Sequence, residues 1–165
     1  MIDSKLIKLL TTHQITVAAA ESLSGGELLS RLISVPGASN VIAGGMVCYS
    51  NQSKIDVLGV AAETIATYGA VSEQTAAQMA AAVRSRFGTT IGLATTGVAG
   101  PDLQEGKAVG TVYVALTDGE ISWVVSHQFK GERNLVRAQS AAAAVELLGK
   151  YSGNLPSVPG VSRAQ

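Results

Sequence analysis

Ile15-Thr16-Val17-Ala18-Ala19-Ala20-Glu21-Ser22-Leu23-Ser24-Gly25-Gly26-Glu27-Leu28-Leu29-Ser30-Arg31-Leu32-Ile33 decides the architecture. Residues 15–20 form a short apolar run, the mark of a strand buried on both faces. After a polar turn, Leu28, Leu29, Leu32 and Ile33 recur at helical spacing until Pro36-Gly37 stops the pattern. The strand 15–20 therefore passes through a glycine-bearing turn into a helix over 25–34. A strand followed by a helix needs a parallel neighbour to return to.

The rest of the chain supplies it. On the N-terminal side, Leu6, Leu9, Leu10 and His13 follow the capping residues Asp3 and Ser4 and predict a helix over 3–13. On the C-terminal side, residues 41–50 read as a second strand, with Gly44-Gly45 as a bulge or close approach. A short polar helix follows over 51–58, capped by Asn51 and stopped by Gly59, and a further helical stretch over 63–68. Ser72 caps an Ala- and Met-rich helix over 73–87 that Gly88 ends. Strands over 89–96, 109–117 and 121–130 follow, the last two joined by the hairpin signal Asp118-Gly119. A long Ala-rich helix spans 132–151, and 152–165 reads as a tail without fixed structure. The expected fold is a single α/β domain over 1–151. It is a three-layer α/β/α sandwich with a mixed, mostly parallel sheet and a C-terminal antiparallel hairpin.

Composition bounds the function. Of 165 residues, 47% are hydrophobic and 15% charged, which excludes the disordered class. Twelve Lys+Arg balance twelve Asp+Glu, so a broadly basic nucleic-acid surface is not expected. Only 4% of residues are aromatic, too few for a base-stacking platform. Cys48 is the one cysteine, so a disulfide within the chain and a zinc cluster of cysteines are both excluded. It reads as a small buried hydrophobe. The start, MIDSKLIKLL, lacks a charged leader before a long apolar stretch, and the longest apolar run, 41–49, is about half a membrane span. The expectation is a cytoplasmic protein with no membrane partner.

Ligands of such sheets sit beyond the carboxyl ends of the strands. Residues 21–26, 49–54 and 96–102 lie there. In the first segment, Ser22 stands at the tip of a strand-to-helix turn, where a nucleophile is exposed. The helix start at Ser24, Gly25 and Gly26 offers unpaired N–H groups to an anion. Locally it reads equally well as a cap with turn glycines. In the second, Lys54 is a general base for a serine if burial lowers its pKa, and otherwise a solvated charge. In the third, Thr96 and the glycine-spaced turn from Gly97 to Gly100 can present backbone N–H groups, or simply turn the chain. Arg133 and Arg137 are four apart at the start of the last helix and suit an anion. His13 and His127 have no adjacent Ser or Asp, and no ligand pattern points to a metal.

Taken together, six segments resemble one family in their order. They are Ala20-Glu21-Ser22-Leu23-Ser24-Gly25-Gly26, Tyr49-Ser50-Asn51-Gln52-Ser53-Lys54, Gly69-Ala70-Val71-Ser72, Gly97-Val98-Ala99-Gly100-Pro101, Lys107-Ala108-Val109-Gly110-Thr111-Val112 and Gly131-Glu132-Arg133-Asn134-Leu135-Val136-Arg137. The chain resembles the C-terminal domain of the CinA (competence/damage-inducible) proteins from residue 1 to about 150. That resemblance implies an amidohydrolase without metal or cofactor, converting nicotinamide mononucleotide (NMN) to nicotinate mononucleotide and ammonia. Carried over, Ser22 is the nucleophile, Lys54 the base and Tyr49 an aid to proton transfer. Arg137 holds substrate or intermediate charge, and Thr96 with Gly97–Gly100 meets the nicotinamide-ribose end. Separately from the resemblance, the anion-attracting helix start at Ser24–Gly26 is one place to hold the substrate phosphate. Ser24 and Thr96 stand where the family commonly has threonine and serine, and Ala108 where it has proline. The 102–107 loop, Asp102-Leu103-Gln104-Glu105-Gly106-Lys107, is expected to vary without consequence.

Two other readings share the fold. One is a nucleotide-binding module without catalysis, acting in competence or DNA-damage responses. The other is a purely structural domain. They separate on whether Ser22, Tyr49 and Lys54 converge. The apolar Ala-rich helices 73–87 and 132–150 carry more apolar surface than one sheet face needs, so a homo-oligomer is expected.

Overall fold

The computed structural model describes residues 4–155. These residues form six α-helices and five strands in the order α1 (Ser4–Thr12), β1 (Val17–Glu21), α2 (Glu27–Ile33), β2 (Ile42–Val47), α3 (Asn51–Ser53), α4 (Ala62–Tyr68), α5 (Glu73–Phe87), β3 (Ile91–Gly97), β4 (Thr111–Thr117), β5 (Ser122–Gln128) and α6 (Arg133–Gly153). α3 continues into a π-helical turn over Lys54–Leu58. The sheet runs β2-β1-β3-β4-β5. β1 is parallel to β2 and to β3, while β3–β4 and β4–β5 are antiparallel. The sheet is thus evenly mixed rather than mostly parallel, because β3 and β4 are joined by a loop and not by a crossover helix.

Side-chain alternation along the strands builds the three layers. Val17 and Ala19 of β1, Ile91 and Leu93 of β3, and Val112, Val114 and Leu116 of β4 join one apolar cluster with Leu10, Leu28, Leu32, Val136 and Leu148 from α1, α2 and α6. Ala18 and Ala20, Ala94 and Ala115 face the other way, onto Ala76, Met79, Ala80 and Val83 of α5. Small residues on this second face let α5 lie close. At Gly92 a Cβ would collide with the carbonyl oxygen of Ala80, so only glycine fits there.

The β1–α2–β2 crossover therefore runs on one face and the β2–α5–β3 crossover on the other. Their divergence leaves a crevice at the carboxyl end of β1, the topological switch point of the sheet. Ser22, Cys48 and Thr96 lie at the carboxyl ends of three adjacent strands around it. The ladder reaches past β1: Ser22 N donates to Thr95 O at 3.0 Å, and Cys48 N donates to Glu21 O at 2.8 Å.

Differences from the sequence expectations are local. The β1–β2 register shifts between Val17 and Ala18, leaving Ala43 as the extra residue just before Gly44. Ser50, not Asn51, caps α3, through a reciprocal pair with Ser53. The last helix continues past 151 to Gly153, with Ser152 buried and its hydroxyl donating to Leu148 O. That moves residues 152 and 153 out of the expected tail; residues 156–165 lie outside the described residues. No described helix is long and apolar enough to cross a membrane.

Candidate functional site

The three polar segments converge on a cleft of about 450 Å³, a size suited to a small molecule. Ser22 and Lys54 form its floor, and they touch. Lys54 Nζ lies 2.9 Å from Ser22 Oγ, 2.9 Å from Cys48 O and 3.2 Å from Tyr49 O. The lysine is only 1% exposed and the serine 6%. Local structure fixes the lysine. The Ser50–Ser53 capping box locks the turn after β2, and Lys54 is the next residue, where the helix widens into its π turn.

Burial holds the Lys54 ammonium below its ordinary pKa; negative charge at Cys48 and Glu105 opposes the shift. No carboxylate pairs with Lys54 among the described residues. A neutral amine has two N–H groups and one lone pair. Two carbonyls and one hydroxyl surround Nζ: as an ammonium it donates to Cys48 O, Tyr49 O and Ser22 Oγ, and once neutral it keeps an N–H for each carbonyl and a lone pair for the serine proton. Burial also pushes the Cys48 thiol up, in keeping with a packed, unreactive side chain.

The helix start after Ser22 is arranged differently from expectation. Glu21 is fully buried. Its carboxylate accepts from the amides of Gly26 (2.9 Å), Leu28 (3.1 Å) and Leu29 (2.8 Å). The positive end of α2 is therefore occupied by the chain's own carboxylate. Ser24 is buried too, its hydroxyl 2.7 Å from that of Thr95. Gly25 and Gly26 have φ of 58° and 96° and make the left-handed turn. These three residues do not line the cleft. The residues expected to hold the phosphate, Ser24–Gly26, thus lie behind the cleft wall, with the Gly26 amide already bound to Glu21. Arg137 lies with them: its Nε and one terminal nitrogen donate to Leu23 O and Ser24 O, bracing the turn from outside the cleft.

Replacing Glu21 by leucine is expected to leave three amides without their acceptor. Lost charge-assisted bonds and buried, unsatisfied donors should together cost about 3 kcal/mol or more. Urea denaturation monitored by circular dichroism checks this; a midpoint within error of wild type would contradict it.

At the mouth, Arg133 is the cation that faces the cleft, and Lys54 is the one at its floor. One terminal nitrogen of Arg133 donates to the Tyr49 hydroxyl at 2.7 Å and the other to Gly100 O. Of two arginines one helical turn apart, the first reaches the cleft and the second the back of the serine turn. Tyr49 is also recast. The residue is 61% exposed at the mouth, and what it gives Lys54 is its backbone carbonyl. Thr96 and the Gly97–Gly100 turn line the cleft, with Thr96 Oγ1 donating to Ala70 O at 2.7 Å.

Residues 1–152 match the family model for the CinA C-terminal domain. A protein from Desulforamulus reducens named as competence-damage inducible is 44% identical over 146 residues, which is 88% of this chain and 36% of the relative. A CinA-like protein of Frankia casuarinae is 43% identical over 156 residues, 94% of this chain and again 36% of the relative. The chain thus spans about a third of the length of these curated relatives. Among solved structures, a CinA superfamily protein from Klebsiella pneumoniae superposes with a TM-score of 0.88 at 29% identity, covering 92% of this chain and 96% of that one. The competence/damage-inducible protein of Agrobacterium tumefaciens gives 0.82 at 32% identity, covering 91% and 97%.

Proposed function

The chain belongs to the family of the CinA C-terminal domain, and from that membership and its cleft we propose an amidohydrolase converting NMN and water to nicotinate mononucleotide and ammonia. The observation that carries this reading is the buried contact between Ser22 Oγ and Lys54 Nζ. An amide is a poor electrophile, so a serine must be deprotonated as it attacks. Ser22 Oγ adds to the carboxamide carbon while Lys54 takes its proton. The resulting ammonium keeps three acceptors: Cys48 O, Tyr49 O and the serine oxygen. Collapse of the tetrahedral intermediate returns the proton to the departing nitrogen as ammonia. Water then cleaves the ester, again through Lys54, and frees Ser22.

The intermediate's oxyanion needs donors. Leu23 lines the cleft, and its amide has no hydrogen-bond partner among the described residues. The residue after a nucleophile on such an elbow is well placed for that role. The substrate phosphate goes to Arg133 at the mouth, whose guanidinium keeps unused N–H groups after its two protein contacts.

Ammonia release from NMN by the purified chain, with EDTA present, tests the reading. Release supports it. No release, with NMN still raising the melting temperature, would replace it by a nucleotide-binding module. The same assay tests the phosphate contact. Arg133→Gln is expected to raise KM for NMN ~10–100-fold, the worth of one charge-assisted contact, and to leave nicotinamide riboside unaffected. Equal losses on both substrates would place the phosphate elsewhere.

A further inference from the structure

Residues 102–106 belong to none of the six family segments, yet the loop reaches into the wall of the cleft. Gln104 and Lys107 pair their backbones at 3.1 and 2.8 Å, and between them Glu105 (φ 53°) and Gly106 (φ 72°) both adopt left-handed backbone. This conformation is uncommon for a glutamate. It throws the Glu105 side chain across to the turn before α5. There Oε1 accepts from Ala70 N at 3.0 Å and Oε2 from Val71 N at 3.1 Å. At Gly69 (φ 83°) a Cβ would collide with Oε2, so glycine is what lets the carboxylate approach.

The turn it grips is tied on its other sides as well. Thr96 Oγ1 donates to Ala70 O, and the hydroxyls of Ser72 and Thr75 donate to Gly69 O at 2.9 and 2.7 Å. Ala70 and Val71 form one side of the cleft, while Leu103 and Gln104 of the loop form another. The Glu105 carboxylate is thus the fastener between two walls. Among the described residues the loop's other hydrogen bonds are its own Gln104–Lys107 backbone pair. Its charge also reaches Lys54 at the floor.

We infer that Glu105 is a positioning residue whose carboxylate latches the 102–107 loop onto the amides of Ala70 and Val71 and so holds the substrate cleft in its binding shape. The kinetic part of this inference rests on the amidohydrolase reading; the geometric part does not. Glutamine keeps the length but presents an NH2 where one amide needs an acceptor, so it breaks half the clasp and removes the charge. Aspartate keeps the charge one methylene short.

The test has two arms on the full chain. In the first, amide hydrogen exchange without ligand is followed by NMR in wild type, Glu105→Gln and Glu105→Asp. Exchange at Ala70 and Val71 is expected to speed up about tenfold or more in Glu105→Gln, less in Glu105→Asp, with β3 amides unchanged. In the second arm, KM for NMN is expected to rise about tenfold in Glu105→Gln with kcat within about twofold, because the bound walls re-form once substrate is seated. Unchanged protection at Ala70 and Val71 would overturn the latch, whether or not NMN is turned over. A fall in kcat at constant KM would overturn the positioning role. Absence of wild-type turnover would count against the amidohydrolase reading and leave the exchange arm to decide the latch.

Discussion

Ammonia release from NMN is expected to fall by about 10⁴-fold or more in Ser22→Ala, with the fold intact. The magnitude follows from what the hydroxyl does. It supplies the atom that bonds to the carboxamide carbon, and among the described residues no other side-chain nucleophile is hydrogen-bonded to Lys54 Nζ. The fold should survive because the change removes one small group at the cleft floor, while the Ser22 backbone bond to Thr95 O remains. Single-turnover kinetics and a thermal melt on the same preparation check both halves. Wild-type turnover in the variant would remove the serine from the mechanism.

Lys54→Met is expected to match that loss, and the double variant to be no worse than either single one, since the two groups act as a unit. The lysine adds a pH signature. Only its neutral form accepts the serine proton, and burial lowers its pKa. The rate of the wild type should therefore climb with pH and level off earlier than an exposed lysine would allow. Stability moves in the same direction. Between the lowered folded pKa and the unfolded value of about 10.4, the unfolded chain binds the extra proton. Wild-type stability should rise with pH across that window and flatten above it; below it, the cost of burying the charge is present in full. Lys54→Met should lack this rise. Urea titrations at a series of pH values compare the two slopes, and parallel slopes would mean that Lys54 titrates as it does in water.

Much of this was legible before any coordinates. The change from an apolar run to helical spacing across residues 15–33 sets β1, the elbow and α2, and Ser72 and Gly88 bound α5 as expected. Position alone marks Ser22, on a strand-to-helix turn, as a candidate and leaves Lys54 a weak one; their pairing as nucleophile and base is what the family resemblance implies. What sequence could not give was the direction of side chains of like chemistry. Arg133 and Arg137 are one turn apart, and only the packing of α6 decides which meets the cleft. Glu21 looked like part of a polar turn, since a carboxylate folding onto amides five to eight residues ahead leaves no periodic trace. Glu105 was missed for a related reason. Its partners, Ala70 and Val71, are backbone groups 34 and 35 residues away, which any residue type would offer.

The carboxylate that fills the start of α2 also limits what this domain can become. In many nucleotide-handling folds a free helix start is the part most easily redirected, since one loop change lets it hold a different phosphate chain. Here those amides are spent on Glu21, and the same contacts hold the turn that presents Ser22. A substitution that freed them would undo the serine's support before any new ligand could replace it. Variation in substrate among descendants of this chain is therefore steered to the rim, to Tyr49, Arg133 and the 102–107 loop, while the elbow stays fixed.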